Sequence, residues 1–205
     1  MEIKTLSVGE LQTNCYFIWD RLSSECFIID PGDDADFITS QVLELKLKPK
    51  AVLLTHGHYD HCLACLELKL NFNIPIFLNP KDNFLYQNAA KSAEHWSSSK
   101  ALKQPPTSPL PKEIKLGDET ITVIPSPGHT PGSVCFSFGS TLITGDTLFA
   151  DGVGRTDLSY SSAQELKRSL NTISKLSPET EIFPGHGDSS TLSNEETCSN
   201  IQNYI

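Results

Sequence analysis

No stretch of this chain is apolar for long enough to span a lipid bilayer. The longest unbroken apolar runs, Cys15–Trp19 and Cys62–Leu66, have five residues each, against roughly 20 for a transmembrane helix. Positive charge is also scarce. Sixteen Lys and Arg stand against 25 Asp and Glu, a formal net charge of −9, which argues against nucleic-acid or anionic-membrane partners because both want a basic face. The six cysteines in 205 residues are too sparse for a disulfide scaffold. Most of them lie in apolar segments, where a free thiol acts as a small hydrophobe, so a reduced, cytoplasmic setting is expected. Met1–Gly9 holds one lysine and no apolar run, unlike a secretory signal. Cys62-Leu-Ala-Cys65 is a CxxC without a second CxxC. It reads as two thiols on a helix face, with a redox motif as the alternative. No repeat of 20–50 residues is visible.

What is present fits a single folded domain over 1–205. The hydrophobic fraction is 38%, and a chain of this length buries a sizeable core. Asn14–Trp19 and Glu25–Asp30 read as strands around a polar turn. Ile38, Val42 and Leu45 share one helix face, and Pro49 closes that helix. Ala51–Thr55 and Ile74–Leu78 read as short buried strands, with a helix over Leu63–Leu70 between them. Asn79-Pro80 should start a helix reaching about Trp96, and Ser97–Lys112 should be an irregular surface connection. Thr120–Ile124, Val134–Phe138, Thr141–Thr144 and Glu181–Phe183 complete the strands. Ser162-Ala-Gln-Glu165 opens a helix as a capping box, and Ser193-Asn-Glu-Glu196 caps a short last one. Strand runs broken by helices point to sheets layered with helices.

The chemistry concentrates in Thr55-His56-Gly57-His58-Tyr59-Asp60-His61. In extended chain, residues i and i+2 point the same way, so His56 and His58 converge, and Gly57 lets the backbone bend between them. Four donors in six residues would strain around one metal and suit two adjacent ones. Three more donors follow short apolar strands with glycine beside them: His129 in Pro127-Gly128-His129, Asp146 in Gly145-Asp146, and His186 in Pro184-Gly185-His186-Gly187. Functional loops on a rigid scaffold have this form. Imidazole and carboxylate donors suit Zn, Fe or Mn.

The motif HxHxDH, followed by distant Gly-His, Gly-Asp and Gly-His, resembles the metallo-β-lactamase superfamily from Asn14-Cys-Tyr to His186. The resemblance implies an α/β fold, an αββα four-layer sandwich with a dinuclear site at one edge. It assigns His56, His58 and His129 to one metal, and Asp60, His61 and His186 to the other. Asp146 bridges them together with a water or hydroxide. Asp60 and Asp146 are then the catalytic carboxylates, and Asp60 either ligates or orients the hydroxide. The cofactors expected are two divalent ions, zinc first, with iron or manganese as alternatives.

Ser126–Ser133, Thr144-Gly-Asp-Thr-Leu-Phe149 and Gly154-Arg-Thr-Asp-Leu158 make the chain most similar to short glyoxalase II-like (hydroxyacylglutathione hydrolase-like) members, without the C-terminal helical domain of the full-length enzyme. The activity implied is hydrolysis of a small-molecule thioester such as an S-hydroxyacylglutathione, with no nucleic-acid or membrane partner. Alternatives are a mononuclear-iron persulfide dioxygenase using His56, His129 and Asp146, a lactonase, and a non-catalytic metal-binding domain. Arg155 either holds a substrate carboxylate or pairs with Asp157 or Asp151. Tyr59 either lines the pocket or packs on the adjoining loop. The sixth histidine, His95, is expected to face solvent.

Overall fold

The computed structural model describes residues 1–97 and 102–204. Twelve strands among them form two six-stranded mixed sheets. The first sheet runs in order through β1 (Glu2–Val8), β2 (Thr13–Trp19), β3 (Glu25–Ile29), β4 (Lys48–Leu53), β5 (Ile76–Leu78) and β6 (Ser108–Pro109). Its first two pairings are antiparallel, and from β3 to β6 the strands are parallel. The second sheet has the spatial order β12 (Ser190–Thr191), β11 (Glu181–Pro184), β10 (Thr141–Gly145), β9 (Val134–Phe138), β8 (Glu119–Pro125), β7 (Glu113–Leu116). Only its β10–β11 pairing is parallel.

The continuous apolar runs arise because these strands are buried on both faces. Along β2, Cys15 and Phe17 point to one core, while Tyr16 and Ile18 point to another. In β3, Cys26 and Ile28 alternate with Phe27 and Ile29 in the same way, and around β4 Val52 and Leu54 alternate with Ala51 and Leu53. The middle core lies between the sheets, where Phe136, Phe138 and Ile143 of the second sheet meet Tyr16, Phe27 and Leu53 of the first. Helices cover the outer faces. Ile38 and Val42 of α1 (Ala35–Glu44), Leu68 of α2 (Cys65–Phe72), Tyr86 of α3 (Asn83–Gln87) and Ala93 of α4 (Ala89–Trp96) pack on the first sheet. Leu166, Leu170 and Ile173 of α5 (Ala163–Ile173), with Ile201 of α6 (Glu195–Tyr204), pack on the second. The result is the expected αββα sandwich. No helix among the described residues is long and apolar enough to cross a membrane.

The structure changes several element boundaries. The single helix expected from Pro80 to Trp96 is a 3-10 turn, Pro80–Asp82, followed by α3 and α4. Asn88 divides the two helices: its side-chain amide donates to Phe84 O at 2.7 Å, a local bond that competes with continued helix. The connection 97–112 is not wholly irregular, because Ser108–Pro109 adds an edge strand beside β5 where proline is tolerated. Its residues 98–101 lie outside those described. The α2 helix starts later than expected, at Cys65. Cys62 and Cys65 are fully buried free thiols. Ser162 caps α5 by accepting from Glu165 N. At α6 the cap is Asn194, whose Oδ1 accepts from Thr197 N, rather than Ser193; the Glu196 side chain lies outside the described residues.

Candidate metal centre

Parallel strands deliver the donors to one edge of the sandwich. Asp30 follows β3 and His56 follows β4 by three residues. Asp146 follows β10, and His186 lies two residues beyond β11. His129 sits in the turn between β8 and β9, and a 3-10 turn, Tyr59–His61, carries Asp60 and His61. The ends of the two sheets close on each other here through Val134 N, which donates to Thr55 O at 2.9 Å, and Asn14 N, which donates to Gly185 O at 2.7 Å. Glycine is required where backbone meets ligand: a Cβ at Gly185 would fall on Asp146 Oδ1 and against the His61 ring.

The structure brings all seven expected donors together as two groups and a bridge. The donor atoms of His56, His58 and His129 lie within 4.8 Å of one another, and so do those of Asp60, His61 and His186. Asp146 faces both. Its Oδ2 is 3.5 Å from His129 Nε2, while its Oδ1 is 3.4 Å from His61 Nε2 and 3.9 Å from His186 Nε2. Asp60 Oδ2 is 3.3 Å from His186 Nε2 and 3.6 Å from His61 Nε2. His58 presents Nδ1, 2.9 Å from His129 Nε2.

Hydrogen bonds behind the rings fix which nitrogen faces inward. His129 Nδ1 donates to Arg155 O at 3.1 Å, and His186 Nδ1 donates to Leu11 O at 3.0 Å. Asp30 Oδ2 accepts from His61 Nδ1 at 3.1 Å and from Thr55 Oγ1 at 2.6 Å. With its proton committed to Asp30, Thr55 Oγ1 accepts from His56 Nδ1 at 3.0 Å. Four imidazoles are thereby held as tautomers with an Nε2 lone pair aimed into the site, the arrangement that supports metal-bound histidines.

Two of those lone pairs, and one oxygen of the shared carboxylate, lack protein partners. His56 Nε2, His61 Nε2 and Asp146 Oδ1 are buried without a hydrogen bond, a cost of about 1–3 kcal/mol for each such group. Cations at these positions would satisfy all three, and the nitrogen and carboxylate donors suit zinc or iron. Electrostatics fit as well. Burial, then the neighbouring imidazoles, pushes His56 well down and His58 to about 4, so both stay neutral. Burial opposes charge on His61 too, but the Asp146 and Asp60 carboxylates outweigh it and raise its pKa. Burial likewise opposes the charge of Asp146, which the facing histidines hold well below the usual carboxylate range. The donor cluster is thus neutral imidazole on one side and carboxylate-biased on the other.

Of the two readings of Arg155 the structure takes the pairing with Asp157, and Tyr59 both packs and lines a cavity. Arg155 points outward, with Nε and Nη2 each 2.9 Å from a carboxylate oxygen of Asp157; its backbone carbonyl, not its guanidinium, meets the site. Tyr59 is partly buried against the core beneath the first sheet, and it lines a small cavity with Asp60, Thr13 and Leu11. His95 is exposed and stacks edge-on with Trp96.

Two supporting residues, Asp30 and Asp82, escaped the sequence reading, and a third, Asn14, entered it only as part of Asn14-Cys-Tyr. Asp30 carries the same signal as the seven candidate donors, an acid ending an apolar strand with Pro31-Gly32 behind it. Asn14 holds the His186 loop through bonds to Pro184 O and Gly187 O. Asp82 sits in what reads locally as a helix start, and nothing in its sequence neighbourhood marks it.

Comparison with known proteins agrees with this geometry. The family model described as the metallo-beta-lactamase superfamily matches residues 8–186. Hydroxyacylglutathione hydrolase GloC of Haemophilus influenzae is 34% identical over 203 residues, 96% of this chain and 95% of GloC. The crystal structure of the BLEG-1 B3 metallo-beta-lactamase superposes with a TM-score of 0.87 at 32% identity, over 95% of this chain and 96% of its own. That of TTHA1623 in a di-iron-bound form gives 0.86 at 35% identity, over 94% and 96%. With the family model matched over most of its length and relatives above 30% identical across nearly all of it, the chain belongs to the metallo-beta-lactamase superfamily.

Proposed function

We propose that this chain is a dinuclear metallohydrolase that cleaves a small thioester of the S-hydroxyacylglutathione kind. The observation that carries the reading is the pair of three-donor groups sharing Asp146, each oxygen of which faces a different group. One group would hold an ion through His56, His58 and His129. The other would hold one through His61, His186 and Asp60. When bound, such ions lower the pKa of water to about 7 and polarise a carbonyl oxygen.

The chain's own residues provide positioning. Asp146 fixes the spacing of the two groups. Asp60 lies at the mouth, its side chain 14% exposed, where its second oxygen accepts a hydrogen bond from the attacking water and aims it. Four of the five rings are fixed in orientation, because their outer nitrogens are bonded to Asp30, Thr55, Leu11 and Arg155. This rigidity also supports the choice of leaving group. Four of the five imidazoles spend their N–H on protein acceptors, which leaves them no proton for a departing amine. A thiolate, with a parent pKa near 8.5, departs without one. The similarity to GloC points the same way, and Arg155, if released from Asp157, would meet a substrate carboxylate at the rim.

Metal content and turnover measured on one preparation test the proposal. About two ions per chain and hydrolysis of S-lactoylglutathione, well above that of a β-lactam, are expected. A single iron with oxygen uptake on glutathione persulfide would replace this reading with a dioxygenase one.

A further inference from the structure

Beneath the His58–His129 side of the centre lies a buried carboxylate that touches neither ring. Asp82, fully buried in the 3-10 turn before α3, accepts three hydrogen bonds. Gly57 N donates to Oδ2 at 3.0 Å, Thr130 Oγ1 donates to Oδ2 at 2.6 Å, and Gly132 N donates to Oδ1 at 2.7 Å. The first donor lies between His56 and His58. The other two flank the far side of the His129 turn. Those two loops come from different sheets, since His56 and His58 follow β4 while His129 precedes β9. One side chain thus ties together the parts of a ligand group that the chain supplies 71 residues apart (His58 to His129). The fit is tight, because a Cβ at Gly132 would press on the Asp82 carboxylate and one at Gly57 on the Asp82 carbonyl. Asp60, His61 and His186 are held otherwise, through Asp30, Leu11 and Asn14.

We infer that Asp82 is a positioning residue for one ion alone: it sets the spacing of His58 and His129, and so the affinity of the His56–His58–His129 group, without acting on the Asp60–His61–His186 group. The inference rests on the two-ion reading given above. Outer hydrogen-bonding partners of metal ligands typically change affinity about 10–100-fold when removed. Asp82→Asn keeps the shape but turns an amide N–H toward at least one donor, so the clamp opens.

The experiment is Zn2+ titration against a chromophoric chelator in two backgrounds, each leaving one group whole. In His186→Ala, where the His56–His58–His129 group remains, Asp82→Asn should weaken Zn2+ binding about 10–100-fold. In His58→Ala, where the Asp60–His61–His186 group remains, the same substitution should change affinity less than twofold. Equal weakening in both backgrounds would show general loosening and overturn the inference, as would no change in either. Thr130→Val removes one bond of the three and serves if Asp82→Asn does not fold; it should give a smaller loss, confined to the same group. An unsubstituted chain that takes up no Zn2+ would overturn the two-ion reading itself and this inference with it.

Discussion

At the scale of single residues, the site is governed by what stands behind the donors as much as by the donors. Asp30 backs His61 directly and His56 through Thr55, so it serves both groups. Asp30→Asn should therefore weaken both ions, about 10–100-fold each, in contrast to the one-sided effect of Asp82→Asn; equilibrium dialysis against Zn2+ reads the difference. Asp146→Ala removes the shared carboxylate. It should abolish thioester turnover and lower metal content while circular dichroism stays that of the folded chain, and full activity in this variant would refute the bridging role. The seven donors were legible because each is a polar residue in a glycine-marked loop just past an apolar strand. Asp82 was not, because its partners, two backbone amides and the Thr130 hydroxyl, lie 25 to 50 residues away, and no local pattern encodes such a contact.

At the scale of elements, strands were read more reliably than helices. Strands buried on both faces leave unbroken apolar runs, and β9 matches its expected span of Val134–Phe138. The edge strands left no such trace: β1, with the sequence EIKTLSV, fully buries only Leu6 and Val8, and the two-residue β6 is held by pairing with β5. The division of α3 from α4 depends on one side-chain bond at Asn88, which periodicity does not register. Two stability measurements belong here. Phe136 is fully buried between the sheets, and Phe136→Ala should cost about 3–5 kcal/mol by urea unfolding. Ser162→Ala, which removes the α5 cap, should cost about 1 kcal/mol. A Phe136→Ala loss under 1 kcal/mol would contradict the packing of the middle core.

At the scale of the molecule, the site belongs to neither sheet. His56, His58, Asp60 and His61 come from the first, His129, Asp146 and His186 from the second. Ions bound there link the two layers, so chelation should destabilise the whole fold rather than a loop. An ion present at 100 times its dissociation constant adds about 2.7 kcal/mol, and in a domain of this size 1 kcal/mol moves the melting temperature roughly 2–4 °C. If two ions bind as proposed, stripping both should lower it by about 10–20 °C in calorimetry; an unchanged melting temperature would mean that no ion binds the folded chain in preference to the unfolded one.

The division of donors between the layers also sets an order of events in time. The earliest donor is His56 and the last is His186, so 130 residues separate the two ends of the set. A chain still emerging from the ribosome holds at most a fragment of the ligand array until residue 186 has cleared the exit tunnel. A complete donor set therefore exists only once residue 186 has emerged, and an mRNA truncated before that codon would yield a product lacking one donor of the Asp60–His61–His186 group, however well its first half had folded.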